Sequence, residues 1–259
     1  MYSIYISTFG KPVIKVHNGI PIEVGASMRK NFIYELHDNV GDNISSENPF
    51  YGELTGLYWI WKNIDITPDD IIGFCHFNKA LRIKKKNAEK WLKSHTNGWI
   101  TLLPNTIRDH PVPDEVGCVI SLLKNMEGGY YDSWFRLYDA TAASLYDSCR
   151  GGNTFITTGR QFKLYCEWLF PIMSEMRCQI GDKLDSDAYW KRYCAYMGER
   201  LLSVYIEANG LPALGVKYQY KKWWIPILGK VRRMMGISKD AFVYKYLHSY
   251  LGYHSSYRK

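Results

Sequence analysis

Residues 51–75, YGELTGLYWIWKNIDITPDDIIGFC, decide the fold class. Leu54, Leu57, Tyr58 and Trp61 recur at the spacing of one helix face, which predicts a helix over Tyr51–Asn63. Pro68-Asp69-Asp70 ends it with turn-forming residues. Ile71-Ile72-Gly73-Phe74-Cys75 is then a short apolar run, the pattern of a strand buried on both faces. Toward the N-terminus, Tyr2, Ile4 and Ile6 alternate as a first strand ending at Ser7-Thr8-Phe9-Gly10, and Ile20–Gly25 forms a second extended piece. Residues 38–45 make a polar loop dense in turn formers. Toward the C-terminus the pattern predicts strands at Cys118–Ser121 and Asn153–Ile156, and helices over Asp132–Cys149, Gly159–Glu175 and Asp187–Glu207. Strands alternating with helices imply one layered α/β domain with a largely parallel sheet. Such sheets bind ligands beyond the carboxyl ends of their strands, where Ser7-Thr8, His76–Lys79 and the loop before Asn153 should gather.

A length of 259 residues suits one core with an appendage. Hydrophobic residues at 46% with 22% charged residues exclude a disordered chain. Aromatics reach 15%, which fits either a pocket lined by flat rings or a tyrosine-rich core. Neither a basic leader with a long apolar stretch nor a spanning apolar run is present, so a cytoplasmic protein is expected. Cys75, Cys118, Cys149, Cys166, Cys178 and Cys194 contain no C-x-x-C pair and read as reduced, mostly buried thiols.

Charge is unevenly placed. From Lys217 onward ten Lys or Arg residues face one acid, Asp240, so residues 1–216 are close to neutral despite a net charge of +8. That contrast separates a body, 1–216, from a basic, aromatic segment, 217–259, expected to pack as terminal helices. In it Trp223-Trp224-Ile225-Pro226-Ile227-Leu228 precedes Lys230, Arg232 and Arg233, a composition suited to an anionic membrane surface. The basic–aromatic mixture also raises nucleic acid as a partner. With no reader motif and a near-neutral body, that reading is set aside. Nucleotide-binding G-x-G-x-x-G and Walker loops, G-x-S-x-G and H-E-x-x-H are absent, which speaks against dehydrogenases, P-loop enzymes, serine hydrolases and zinc peptidases.

Asp38–Asn63, DNVGDNISSENPFYGELTGLYWIWKN, resembles the opening block of a bacterial family from capsule, exopolysaccharide and O-antigen gene clusters. That family, long labelled a domain of unknown function, is grouped with GT-A-type glycosyltransferases and includes galactofuranosyltransferases. The resemblance continues at Ile72–Phe77, Gly152–Ile156, Tyr165–Phe170 and Gly198–Leu202, in order along the chain. It departs from the family where His-Tyr-Arg-Arg-Tyr is replaced by His76-Phe77-Asn78-Lys79-Ala80, and where Phe9 stands after Ser7-Thr8 in place of the family's His. The resemblance implies a GT-A-like, Rossmann-type mixed sheet flanked by helices, with a C-terminal helical appendage. It further implies transfer of a hexose of the galactofuranose, galactose or glucose class from a UDP-sugar to a lipid-linked surface polysaccharide, at the inner face of the plasma membrane. The alternative is a non-catalytic member that binds the nucleotide sugar without hydrolysing it.

Sugar transfer requires donor recognition, compensation of diphosphate charge and a base for the acceptor hydroxyl. Ser7 and Thr8, with Asp42, Asn43 and Ser45, are donor-binding candidates, against a capped turn and Asx-turns as the structural alternatives. Tyr58, Trp59 and Trp61 are expected in the core. GT-A enzymes commonly hold Mn²⁺ or Mg²⁺ through Asp-x-Asp. Here the mid-domain strand ends without a carboxylate, and Asp185-Ser186-Asp187 precedes a helix, where an N-cap explains it. The expectation is therefore a metal-independent site with His76, Lys79 and Arg200 facing the phosphates. Asp185 and Asp187 are the ligands if a metal is used. Glu199, a carboxylate beside Leu201 and Leu202, is the expected base, with Asp187 and Asp132 in reserve.

Overall fold

Every residue of β1 (Tyr2–Thr8) is buried, so this strand lies inside a sheet covered on both faces. The computed structural model describes residues 1–103, 117–138, 152–181 and 190–222, together with Ile227. Seven more strands join β1: β2 (Gly19–Glu23), β3 (Ile71–His76), β4 (Lys79–Leu81), β5 (Trp99–Leu102), β6 (Phe155–Thr158), β7 (Ala213–Val216) and β8 (Tyr218–Tyr220). The order is β2-β1-β3-β6-β5-β7, with β4 attached to β3 and β8 to β4. β2, β1 and β3 run parallel, as do β5 and β7, whereas β6 is antiparallel to both of its neighbours and β4 to both of its own. The sheet is therefore mixed and not largely parallel. Short apolar runs announce burial, but direction is set by connections the local pattern does not encode.

The helices are α1 (Asn48–Tyr51), α2 (Leu54–Asn63), α3 (Lys85–Ser94), α4 (Gly117–Lys124), α5 (Tyr130–Tyr138), α6 (Gly159–Ile180) and α7 (Tyr193–Ala208). Side chains alternate across the strands and sort into two cores. Tyr2, Ile4 and Ile6 meet Cys75, Ile100 and Ile156 over Ala88 and Leu92 of α3. Tyr5, Ile72, Phe74, Trp99 and Phe155 face the opposite layer, in which α2, α6 and α7 contribute Leu57, Phe162 and Leu201. Gly73 marks where the strands close tightest, since a Cβ there would lie 2.4 Å from Ile4 Cδ1.

Three local expectations are corrected. Cys118–Ser121 is helical, inside α4, because Val119 and Leu123 need one buried face four residues apart. The helix expected over Tyr51–Asn63 breaks at Gly52, whose φ of 54° ends α1 and redirects the chain into α2. Tyr218–Tyr220, assigned by charge to the appendage, form β8 and extend the sheet through β4. Trp59 is buried and Trp61 stacks on Phe170 at 5.5 Å, as core residues should. Cys75, Cys166 and Cys194 are buried free thiols and Cys178 is exposed. The remainder of the helix expected over Asp132–Cys149, and the start of that over Asp187–Glu207, lie outside the described residues.

Candidate active site

The carboxyl end of β3 delivers His76, and the antiparallel pairing of Phe74 with Phe155 brings the chain just before β6, Asn153 and Thr154, to that same end. The turn at Gly52 places Glu53 at the N-terminus of α2. Gly198 lets α7 come close to α2, since a Cβ there would lie 2.7 Å from Leu54 Cδ1, and Glu199 follows it. Side-chain ligand atoms of Glu53, His76 and Glu199 consequently lie within 4.8 Å of one another.

Glu53, Lys79 and Arg200 have identifiable partners, whereas the buried His76 Nε2 has no hydrogen-bond partner. Asn153 Nδ2 donates to Glu53 Oε1 at 2.9 Å, and Arg192 Nη2 stands 3.6 Å from Glu53 Oε2. His76 Nε2 is 3.9 Å from Glu53 Oε1. Lys79, the first residue of β4, holds its ammonium 4.9 Å from the centre of the Tyr218 ring. Arg200 is buried on α7, with Nη1 donating to Tyr196 O at 2.9 Å.

Burial and charge divide the two carboxylates. Burial pushes Glu53 upward, but Arg192 and the Asn153 hydrogen bond, joined by His76 whenever that ring is protonated, outweigh it and hold the acid below its ordinary range. Glu199 is raised, first by burial and then by repulsion from Glu53, with Lys79, Arg200 and Arg192 opposing the shift. Burial and the nearby Lys79 depress His76 to about 4, so the imidazole is neutral at physiological pH. Burial lowers Lys79, yet Tyr218, Glu199, Glu53 and Tyr220 raise it further, and it remains an ammonium. One ionised carboxylate, one basic carboxylate, a neutral imidazole and a cation are thus gathered in one cluster.

Among the described residues, Glu53, His76 and Glu199 could hold a divalent ion, since their ligand atoms lie within 4.8 Å of one another and the buried His76 Nε2 has no hydrogen-bond partner, but other groups compete for the same oxygens. Both Glu53 oxygens already face donors, Asn153 and Arg192. Lys79 supplies positive charge to the same two carboxylates and so competes with an added dication for them.

Of the other sequence candidates, Ser7 pairs with His76 in the β1–β3 register, and the rest stand outside the cluster or beyond the described residues. Ser7 Oγ donates to Cys75 O at 3.1 Å, and Thr8 Oγ1 donates to Lys11 O and accepts from Lys11 N, a capped turn beside the strand end. Asp42 accepts from Tyr58 Oη, Asn43 bonds Gly41 O and Ser45 N, and Ser45 Oγ donates to Asp38. These residues build the 38–45 loop through Asx-type bonds. Asp132 is exposed on α5. That helix is tied to α7 through Arg136 and Glu207, eight residues beyond Glu199 and thus roughly 12 Å along the helix. Asp185 and Asp187 lie outside the described residues. Glu53, Asn153 and Arg192 were missed. A signal for Glu53 existed, because a lone carboxylate in the apolar run YGELTGLYWIW is the same anomaly that singled out Glu199.

A family model described as "Domain of unknown function (DUF4422)" matches residues 4–106 and 118–210. No curated protein matches the chain. A solved structure of the WbbM bifunctional glycosyltransferase in its apo form superposes with a TM-score of 0.68 at 20% sequence identity. The match covers 84% of this chain and 45% of the WbbM chain, so this chain spans under half the length of its neighbour. At that identity the shared property is the fold, a mixed α/β sheet flanked by helices.

Proposed function

The chain belongs to the DUF4422 family, and from that premise we propose that it is a glycosyltransferase acting on a nucleotide-sugar donor and a glycan acceptor. The observation that carries this reading is the Glu53–His76–Lys79–Glu199 cluster at the carboxyl end of β3. What supports the reading is the cluster's position at a carboxyl strand end, the side on which α/β sheets generally bind ligands, in a fold shared with a glycosyltransferase chain. Glu199, raised by its surroundings, takes the proton of the acceptor hydroxyl as that oxygen attacks the anomeric carbon. The bond from that carbon to the diphosphate breaks, and the diphosphate leaves with the electron pair. Lys79 faces the charge that develops on the leaving group, with Arg192 and Arg200 in the same cluster. Glu53 holds Arg192 and Asn153 in register, a positioning role.

In finer terms, the donor is a UDP-hexose of the galactofuranose, galactose or glucose class, and the acceptor a lipid-linked bacterial surface polysaccharide. No metal takes part. What supports this last point is the occupation of Glu53 by Asn153 and Arg192, together with the ammonium of Lys79. Thermal shift with UDP tests the reading directly. UDP should stabilise the protein equally with and without EDTA, by about 2.7 kcal/mol at a hundredfold excess over its dissociation constant. UDP-sugar should also be slowly hydrolysed. A shift that requires Mn²⁺ refutes metal independence, and binding without any hydrolysis or transfer returns the chain to a non-catalytic role.

A further inference from the structure

We propose that a groove between α3 and the β7 edge of the sheet docks onto the anionic leaflet of a lipid bilayer. Its walls are Arg82, Lys84 and Lys90, and its floor is Ile83, Trp91, Leu214 and Val216. Among the described residues no acidic side chain lines it. Arg82, Lys84, Lys86, Lys90 and Lys93 are all exposed on or beside α3, and Glu89, the acid of that helix, faces Lys85 at 3.7 Å. The apolar residues of α3, Ala88 and Leu92, are buried against the sheet, so the helix is fixed and cannot turn a greasy face outward. Docking is therefore electrostatic, with Trp91 and the aliphatic floor meeting the headgroup layer.

Charge complementarity selects an anionic partner, and the floor selects its kind. Nucleic-acid grooves offer rings on which bases stack. Here three of the four floor residues are aliphatic and the single indole is half-buried against His95, 4.5 Å between ring centres. Chain continuity adds a second observation. Gln219 of β8 lines the same groove, and the chain passes Lys221 and Lys222 directly after that strand, toward the segment whose sequence is basic and tryptophan-rich. β4 connects this face to the cluster described above, because Arg82 follows Lys79 by three residues, roughly 10 Å of strand. A docked protein thus holds that cluster within reach of a headgroup-borne substrate. The docking surface itself stands whatever the cluster transfers.

Co-sedimentation of the full chain with vesicles tests this. The wild type should bind phosphatidylcholine vesicles containing phosphatidylglycerol, release them at high salt, and ignore pure phosphatidylcholine. The triple variant Lys84→Ala, Lys86→Ala, Lys90→Ala should lose about a hundredfold in partitioning, roughly fivefold per cation. All three lysines are exposed, so its circular dichroism and its response to UDP should equal those of the wild type. A variant that binds as the wild type does would show that the basic C-terminal segment alone carries attachment and overturns the proposal. Equal binding to neutral vesicles, or preference for duplex RNA over anionic vesicles at the same salt, also overturns it. A missing UDP response in the wild type counts against the proposed transfer activity and leaves the docking result intact.

Discussion

Replacing Glu199 with Gln should separate stability from activity. The carboxylates of Glu199 and Glu53 approach within 4.8 Å, Glu53 buried and Glu199 partly so. At an effective dielectric of about 20, unit charges about 5 Å apart repel by roughly 3 kcal/mol. Lys79, Arg200 and Arg192 offset part of this, yet the net effect still raises the Glu199 acid above its ordinary value of 4.5. A carboxyl raised by folding favours its protonated form. Its contribution is complete below the unfolded value near 4.5 and is withdrawn as pH rises through the folded value. At neutral pH the Gln variant, which keeps the shape and loses the charge, should melt higher by a few degrees, at about 2–4 °C per kcal/mol for a domain of this size. Its melting temperature should also decline less between mildly acidic and neutral pH. Transfer should fall by about two to four orders of magnitude while UDP binding is retained, as expected for loss of a general base. Calorimetry across pH and a transfer assay on the same preparation give both readings. Near-wild-type transfer removes Glu199 from the mechanism and, with Asp132 exposed on α5, promotes Asp187. A lower melting temperature at neutral pH would mean that Lys79 dominates and that the carboxylate is a stabilising ion.

Other expectations follow from the same geometry. Because His76 is depressed to about 4 from 6.5, the unfolded chain takes up its proton first, and stability falls as pH drops across that interval; His76→Gln should flatten this limb in urea melts, and an unchanged slope refutes the assignment. Gly159→Ala places a Cβ 2.1 Å from Thr67 O and should destabilise by about 1–3 kcal/mol in chemical denaturation, with a neutral result showing that the turn yields. Truncation after Val216 removes β8 and uncovers β4, and should melt measurably lower than truncation after Lys222, which keeps that pairing. Equal melts for the two truncations would show that β8 contributes nothing to the sheet.

What the sequence made legible was local and apolar. Ile71–Cys75, Tyr2–Ile6 and the long helix from Gly159 carry their period and burial in the residues themselves, and the structure contains all three. β4, β7 and β8 are three or four residues long and mostly half-buried, too short for any period to emerge. α3 was hidden for a different reason. Its mean character is lysine-rich, and the two residues that bury it, Ala88 and Leu92, are a weak stripe among cations. At the site, Glu199 and His76 stood out as polar residues in apolar surroundings. Asn153 and Arg192 acquire meaning only when β6 and α7 converge on α2, a juxtaposition across a hundred residues between Glu53 and Asn153. Thr8, Asn43 and Ser45 were read as ligand contacts or turn builders, and their hydrogen bonds in this structure are those of turn builders.

The antiparallel strand at the centre of the sheet has a consequence for biosynthesis. β6 pairs with both β3 and β5, so neither half of the sheet is complete until Phe155–Thr158 leaves the ribosome. About 80 residues separate the end of β3 from the start of β6. At about 5–20 residues per second, the nascent β2-β1-β3 ribbon waits about 4–16 s with one bare edge. That edge carries Ile72, Phe74 and Cys75, all buried in the finished protein, and an unpaired apolar strand is a template for wrong partners. Yield in cells should therefore depend on elongation rate and chaperone supply between these two strands, more than on the equilibrium stability of the folded chain.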